Sequence, residues 1–302
     1  MCRHRLAFVF AFCLVAATAL AHPGWGIVRD VQGNTFFTDL KQVWKLAPSG
    51  ELTVVVPHVH THELVIDARG NLCGENLAYE APDKWHDYFW RRSPDGRVTT
   101  VIADGGVTRG VSLLKDAAGN EYSVEQNNHT RTRTVLLKRT PAGNVTEVAG
   151  GAFGAKDGKG NAAQFGSVGG VAVMPDGSVF LVDGSALRKV ATDDTVTTIA
   201  RGLDQPAKLL HGTGGLANPR SGLRLDPAGN AYIADFDNRR ALKITPNGAR
   251  VTAYESPLGW GPTGIWIEGE DLYVLEGRHP FGDGVRVVRA RGGKGTVLAK
   301  VD

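Results

Sequence analysis

The sequence has little cysteine, and two of its three cysteines lie close to the N-terminus. Cys2 and Cys13 belong to a segment that we expect to be removed, so Cys73 stands alone. An internal disulfide is therefore excluded, and we interpret Cys73 as a small buried apolar residue. A chain of about 280 residues without disulfides needs a large hydrophobic core and is long enough to build one.

Several signals of common functions are also absent. The chain has no Gly-x-Ser-x-Gly nucleophile motif, and its glycine-rich stretch at 154–160 falls in a linker between repeats rather than in a phosphate loop. The formal net charge is +3 and falls to about +1 without Arg3 and Arg5. This balance gives no electrostatic reason to expect nucleic acid or an anionic membrane as a partner. Beyond residue 21, no apolar run approaches the about 20 residues of a membrane-spanning helix.

The first 21 residues have the layout of a secretory signal peptide. Arg3 and Arg5 precede a charge-free apolar run over 6–17, and the small residues of Ala19-Leu20-Ala21 end the segment. We predict cleavage after Ala21, so that the mature protein begins at His22 and is secreted or periplasmic. The alternative is an N-terminal membrane anchor.

One sequence phrase recurs six times in the rest of the chain. A short apolar strand leads into a turn with Gly-Asn or Asp-Gly, and an aromatic-rich strand follows and ends in an acid. A second phrase follows each copy, with a basic and apolar strand, a Pro-x-Gly turn such as that of 48–50, and a Thr/Val strand. Glycine and asparagine supply the positive φ of tight hairpin turns. The six terminal acids are Asp39, Glu75, Glu125, Asp183, Asp235 and Glu276.

The phrases recur about every 45 to 54 residues, close to the spacing of propeller repeats. Each copy predicts four short antiparallel strands, and six such sheets around one axis can bury the faces that a single sheet leaves exposed. We therefore predict an all-β fold, a single six-bladed β-propeller domain over residues 22–302, with a β-sandwich or solenoid as the alternative. We expect no long helix. Because the first and last copies both look complete, we expect blade one to pack on blade six without exchange of strands.

Residues 152–200 resemble an NHL repeat, most clearly at Asp157-Gly158 and Gly169-Gly170. The resemblance extends in weaker form over 23–302 and departs at 76–87, which reads as an insertion. It implies a propeller related in fold to gluconolactonase-like enzymes, whose metal is held by Glu, Asn and Asp. It also implies a relation to a peptide-amidating lyase, whose zinc is held by histidines.

Polar side chains gather in the predicted blades two and three. His58, His60 and His62 alternate along an extended connector, so their side chains point to the same side. Glu75-Asn76 and the segment 125–129 each follow the second strand of a blade. All of these residues are therefore expected at one mouth of the central channel.

From this arrangement we predict a candidate metal site formed by His62, Glu75 and His129, with a divalent ion such as Zn²⁺ or Ca²⁺. The alternatives are a solvated connector for the histidines and, for each repeated acid, hydrogen bonding to the loop that follows it. Around the metal site we expect a ligand-binding mouth that contains His60, Glu63, Asn76, Glu125, Asn128, Asp183, Asp235 and Glu276.

The sequence leaves three functions open. The favoured hypothesis is a binding module for a small molecule, protein or peptide, because no complete catalytic constellation is visible. The second is a metal-dependent hydrolase, lactonase or lyase, in which a metal at the mouth polarises an oxygen or activates water. The third is a scaffold in an envelope assembly. We expect a monomer in each case.

Overall fold

The computed structural model describes residues 24–80, 84–103, 106, 109–126, 130–203, 222–279 and 282–302. These residues form six antiparallel sheets that follow one another along the chain, which confirms the predicted six-bladed β-propeller. The helical structure within these ranges is one 3₁₀ turn, Gly160–Ala162. In the described part of the chain, no helix has the length and apolar character needed to cross a membrane.

Within the described ranges, the sheets are built from 24 strands. Blade one contains β1 (Ile27–Arg29), β2 (Thr35–Thr38), β3 (Gln42–Leu46) and β4 (Leu52–Pro57). Blade two contains β5 (Leu64–Ile66), β6 (Leu72–Glu80), β7 (Lys84–Arg92) and β8 (Val98–Ile102). Blade three contains β9 (Glu121–Gln126), β10 (Arg133–Arg139) and β11 (Val145–Ala152).

The second half of the ring follows the same order. Blade four contains β12 (Gly158–Lys159), β13 (Val168–Val173), β14 (Val179–Asp183), β15 (Ala186–Val190) and β16 (Thr195–Ala200). Blade five contains β17 (Leu223–Leu225), β18 (Ala231–Asp235), β19 (Arg240–Ile244) and β20 (Arg250–Glu255). Blade six contains β21 (Trp260–Glu268), β22 (Asp271–Arg278), β23 (Val285–Arg291) and β24 (Lys294–Val301).

Two blades differ from the four strands that the repeat predicts. In blade three, the inner segment 111–115 reaches β9 only at its end, where the Tyr122 amide donates to the Leu114 carbonyl at 3.0 Å and Lys115 bridges Glu121. In blade four, β12 adds a fifth strand on the outer edge of β16. The extra strand is held there because the Asp157 carboxylate accepts hydrogen bonds from the amide and hydroxyl of Thr198.

The repeated turns are held by their own aspartates. In blade one, Asp30 Oδ1 accepts the Asn34 amide at 2.8 Å and its Oδ2 accepts the Asn34 side chain at 2.7 Å. Gly33 lies between them at φ +83°, a conformation that other residues rarely adopt. The same pairing of a first aspartate with an asparagine four residues later recurs in blades two, three and five, at Asp67, Asp116 and Asp226.

Buried apolar clusters join the blades face to face. Separate clusters lie between blades one and two, three and four, four and five, five and six, and six and one. No such cluster joins blades two and three within the described residues. In the part of the chain that the structure describes, this interface therefore lacks the buried cluster found at the other five.

The ring closes as predicted, by packing of blade one on blade six without strand exchange. Ile27 and Phe37 of blade one are buried against Leu275 of blade six. Arg29 pairs with Glu268 at 3.2 Å, and its guanidinium lies over the Tyr273 ring. Apolar burial and these contacts close the ring, so no strand from the opposite terminus is needed.

Candidate functional site

Two cavities lie along the central channel among the described residues, and their walls partly overlap. The smaller one, of about 280 Å³, lies where the inner strands begin, and we call it the upper chamber. Trp25, Glu63, Glu75, Ser112 and Gln126 contribute to its wall. The larger one, of about 1090 Å³, lies where the inner strands end, and we call it the lower chamber.

An ion pair crosses the channel between the two chambers. Glu63 directly precedes β5 of blade two, and Arg224 lies in β17 of blade five, on the opposite side of the ring. Arg224 Nη1 lies 3.3 Å from Glu63 Oε1, and both side chains are only 18% exposed. Glu63 lines the upper chamber and Arg224 lines the lower one, and the two chambers share Phe89 and the segment 111–114 as wall.

The environment of Glu63 raises its pKa above the ordinary value for a glutamate. Burial raises the pKa of Glu63, and the nearby charge of Glu75 raises it further. The Arg224 charge and hydrogen bonds from Arg224 and Trp25 act in the opposite direction without cancelling the effect of burial. Glu63 therefore keeps a proton to a higher pH than an ordinary glutamate.

His62 and Glu75 lie together beside Glu63. His62 Nδ1 is 3.6 Å from Glu75 Oε1, and the Trp25 ring stacks on the imidazole at a centroid distance of 5.1 Å. His60 and His62 are also in contact, with ring centroids 4.8 Å apart. The alternation of the histidines thus places His60 and His62 on one side of the connector, as the sequence predicts. His58, at φ +57°, departs from the extended backbone that the prediction requires.

The backbone around these residues is held by side chains that the sequence analysis did not select. The Thr61 hydroxyl donates to the Glu75 carbonyl at 2.5 Å, and Trp90 Nε1 donates to the same carbonyl at 3.2 Å. Thr38 of blade one donates to the Thr61 carbonyl at 2.8 Å. The sequence feature that could have identified Thr61 is its position between His60 and His62, because alternation along an extended segment turns its side chain toward the protein interior.

Asn76 has a supporting position. Its Oδ1 accepts the His60 amide at 2.8 Å, and its Nδ2 donates to the His86 carbonyl at 3.4 Å. The residue is buried and is absent from the walls of both chambers. Asn76 therefore holds the histidine connector against β6.

The other repeated acids bind their own blades. Asp39 accepts the amides of Lys41 and Gln42, which is the loop-holding role that the sequence analysis considered. Asp183 accepts the Gly166 amide at 2.9 Å and pairs with Arg188 at 2.9 Å. Burial raises the pKa of Asp183 despite these contacts.

The acids of blades three, five and six are paired with arginines. Glu125, whose side chain is 43% exposed, pairs with Arg109 and Arg133. Asp235 accepts two contacts from Asn238 at 3.0 and 2.9 Å and one from Arg240 at 3.2 Å. Glu276 is fully buried and accepts hydrogen bonds from Tyr254 and Arg286. None of these acids, nor Asp183 or His60, contributes to the walls of the two chambers as described.

Two of the predicted site residues, Asn128 and His129, lie outside the described residues. Of the predicted metal ligands, His62 and Glu75 are therefore brought together and the position of the third is not described. Within the described ranges, no group of three or more His, Cys, Asp or Glu side chains has a geometry that could hold a metal ion. The donor set is thus incomplete, although carboxylate and imidazole are both suitable ligands for a divalent ion.

The fold and the chamber define the class of protein as a six-bladed β-propeller with polar groups at one end of its channel. No family model and no curated protein sequence matches the chain. Solved structures do match its fold. A regucalcin from Agrobacterium tumefaciens, described as a calcium-binding protein, is 15% identical, with a TM-score of 0.56 over 84% of this chain and 81% of that one.

Two further structures are similar to the same degree. A gluconolactonase from Xanthomonas campestris is 13% identical, with a TM-score of 0.56 over 84% of each chain. A putative gluconolactonase is 15% identical, with a TM-score of 0.56 over 90% of this chain and 89% of that one. These similarities establish the six-bladed fold, and the assignment of the repeats to the NHL type stays a prediction.

Proposed function

We propose that the chain is a hydrolase of small cyclic esters that acts in the upper chamber. The observation that carries the proposal is the carboxylate pair of Glu63 and Glu75, with His62 beside it, in a cavity at the channel mouth. Two carboxyl groups with different environments are suited to serve as an acid and a base. The solved structures named gluconolactonase support this choice over the binding module that the sequence favoured.

The roles follow from the environments of the two carboxyl groups. Glu75 is 29% exposed at its side chain and lies next to His62, so it is the group available to accept a proton from water. The water oxygen then adds to the ester carbonyl. Glu63, whose pKa is raised, donates its proton to the ring oxygen as the carbon–oxygen bond breaks, which gives a hydroxy acid.

A direct test is to incubate the protein with a panel of lactones and to measure hydrolysis as the base consumed at constant pH. Glu75→Gln should lower kcat about 100-fold or more, because it removes the proton acceptor. Glu51→Gln, at an exposed turn position, is the matched control and should be fully active. If no lactone is opened while one of them binds saturably, the binding module is the better description.

A divalent ion is proposed only as an addition to this site. Among the described residues, His62 and Glu75 would supply two of its protein ligands, and a bound cation would polarise the ester carbonyl. Metal analysis of the purified protein tests this addition. We expect an ion that is lost in both Glu75→Gln and His62→Ala, whereas a protein that is fully active after chelation contradicts a role for metal.

We also propose that the protein acts outside the cytoplasm. The support is the layout of residues 1–21, with its basic start, apolar run and small-residue end. N-terminal sequencing of the exported protein should begin at His22. Recovery of the uncleaved chain in the cytoplasm would contradict this proposal.

A further inference from the structure

The two chambers meet along a wall that blades two and three supply. Phe89 of blade two and the segment 111–114 of blade three line both cavities. The ion pair of Glu63 and Arg224 crosses the channel from blade two to blade five. A ligand that is longer than the upper chamber therefore has a route into the lower one beside the ion pair, along the shared wall.

The shared wall is almost entirely apolar. Phe89, Leu113 and Leu114 contribute to it, and Ser112 is its one polar side chain among the described residues. The upper chamber, of about 280 Å³, lies just below the size range of sites for drug-sized ligands, so it suits the reacting ring alone. A substituent on that ring meets the shared wall, where hydroxyl groups would lose their hydrogen bonds with water.

The lower chamber continues the apolar surface. Ile102, Leu225 and Trp266 belong to its wall, and none of them is fully buried. At the other five blade interfaces, apolar side chains are packed into buried clusters. The chamber, of about 1090 Å³, therefore offers both the apolar surface and the space that an alkyl chain needs.

The charged groups of the lower chamber favour a neutral ligand. Its wall holds four carboxylates and three cations, so neither sign dominates. Three of the carboxylates are the turn aspartates of blades two, three and five, which follow the inner segments. Lys115 pairs with Glu121 at 2.9 Å, and Arg224 pairs with Glu63. A ligand charge of either sign would meet a like charge, which is unfavourable.

From this combination we infer that the substrate of the proposed hydrolase is a neutral lactone with an unbranched alkyl chain. Its ring lies beside Glu63 and Glu75 in the upper chamber, and its chain passes Leu113 and Leu114 into the lower chamber. The inference rests on the proposed function and adds the chemical class of the substrate. It sets this chain apart from a hydrolase of sugar lactones, whose hydroxyl groups would lie against the apolar wall.

A homologous series of lactones tests the inference. The series is γ-butyrolactone, γ-hexalactone, γ-octalactone and γ-decalactone, in which the ring is constant and the alkyl chain grows. The value of kcat/KM should be at least about tenfold higher for γ-decalactone than for γ-butyrolactone, because each buried methylene contributes up to about fourfold. A protein that opens γ-butyrolactone or δ-gluconolactone without any gain along the series would overturn the inference and leave the catalytic proposal standing.

A variant of the shared wall locates the alkyl chain. Leu114→Trp places a larger side chain at the wall of both chambers and should reduce the gain along the series to less than about threefold. Val98→Trp is the matched control, because Val98 is 43% exposed in the same region and lines neither chamber. It should keep the full gain. Thermal unfolding establishes that each variant is folded, and a folded Leu114→Trp variant with the full gain would contradict the inference.

Binding without turnover gives a measurement that does not depend on the variant of Leu114. Glu75→Gln should bind γ-decalactone at least about tenfold more tightly than γ-butyrolactone in isothermal titration calorimetry, because the alkyl chain leaves water. Equal affinities would overturn the inference. If the unmodified protein opens no lactone of the series, the proposed hydrolase is wrong, and the same titration on the unmodified protein shows whether the lower chamber binds an alkyl chain.

Discussion

The interface between blades four and five differs from the interface between blades two and three, although one repeat builds both. Between blades four and five, Val182, Leu223 and Ile233 are at most 1% exposed and belong to one continuous cluster. Between blades two and three, Ile102 and Leu114 line a cavity instead. The comparison shows that a propeller can leave a cavity at one interface, because buried apolar clusters at the other five hold the ring together.

The largest expected effect comes from truncating matched leucines of the inner segments. Leu223→Ala should lower the free energy of unfolding by about 4 kcal/mol, because it removes apolar contacts and leaves a void in a packed cluster. Leu114→Ala should cost about 1 kcal/mol or less, since this side chain already faces a cavity. Urea denaturation of both variants gives the two values, and equal losses would contradict the comparison.

The second effect concerns two acids at the same repeat position. Asp183→Asn should lower the free energy of unfolding by about 3 kcal/mol, because Arg188, whose side chain is only 2% exposed, loses its buried charged partner. The remaining contact of Arg188 with Asp157 keeps the loss below that of an isolated pair. Glu75 occupies the same position of its own repeat, and its side chain is 29% exposed. Glu75→Gln should therefore lower the free energy of unfolding by less than about 1 kcal/mol. A folding defect in Glu75→Gln as large as that in Asp183→Asn would mean that Glu75 is structural.

The third effect is local opening of the ring. Backbone amides of β8 and β9 should exchange with solvent at an opening free energy roughly 2 kcal/mol below that of β14 and β18, because fewer apolar side chains cover them. Hydrogen exchange with peptide-level mass spectrometry measures this difference. Uniform protection around the ring would contradict the difference between the two interfaces.

The smallest effect is the pH dependence contributed by Glu63. Its pKa is raised in the folded protein, so the folded state binds this proton more tightly than the unfolded state does. The resulting stability is present below the unfolded pKa and is lost as pH rises through the folded pKa. Unfolding free energies measured from pH 4 to pH 7 should therefore decline less steeply in Glu63→Gln than in Glu51→Gln. If the unfolding free energies of the two variants change with pH in parallel, the burial of Glu63 makes no contribution to the pH dependence of stability.

The sequence repeats predict most of the architecture. Alternating apolar residues, turns of the Asp30 to Asn34 type and six terminal acids together predict six sheets of antiparallel strands. The same local rules predict that His60 and His62 point to one side, which the structure bears out. Local rules did not predict the number of strands in two blades. Blade four gains β12, which Asp157 holds through Thr198. In blade three, the inner segment 111–115 meets β9 only at its end.

The sequence by itself therefore determined the repeat and the turn chemistry, because these depend on residues close together in the chain or on alternation along a strand. It also predicted the closure of the ring, because the first and last copies of the repeat are both complete. Only the tertiary structure decided which acids are committed to their own blades. It also decided that Glu75 lies at a cavity wall beside His62 and that Glu63 meets Arg224 across the channel. The physical reason is distance along the chain: 161 residues separate Glu63 and Arg224, and no local pattern encodes their contact. The cavity between blades two and three is also a tertiary feature, because it depends on how the sheets of these two blades pack against each other.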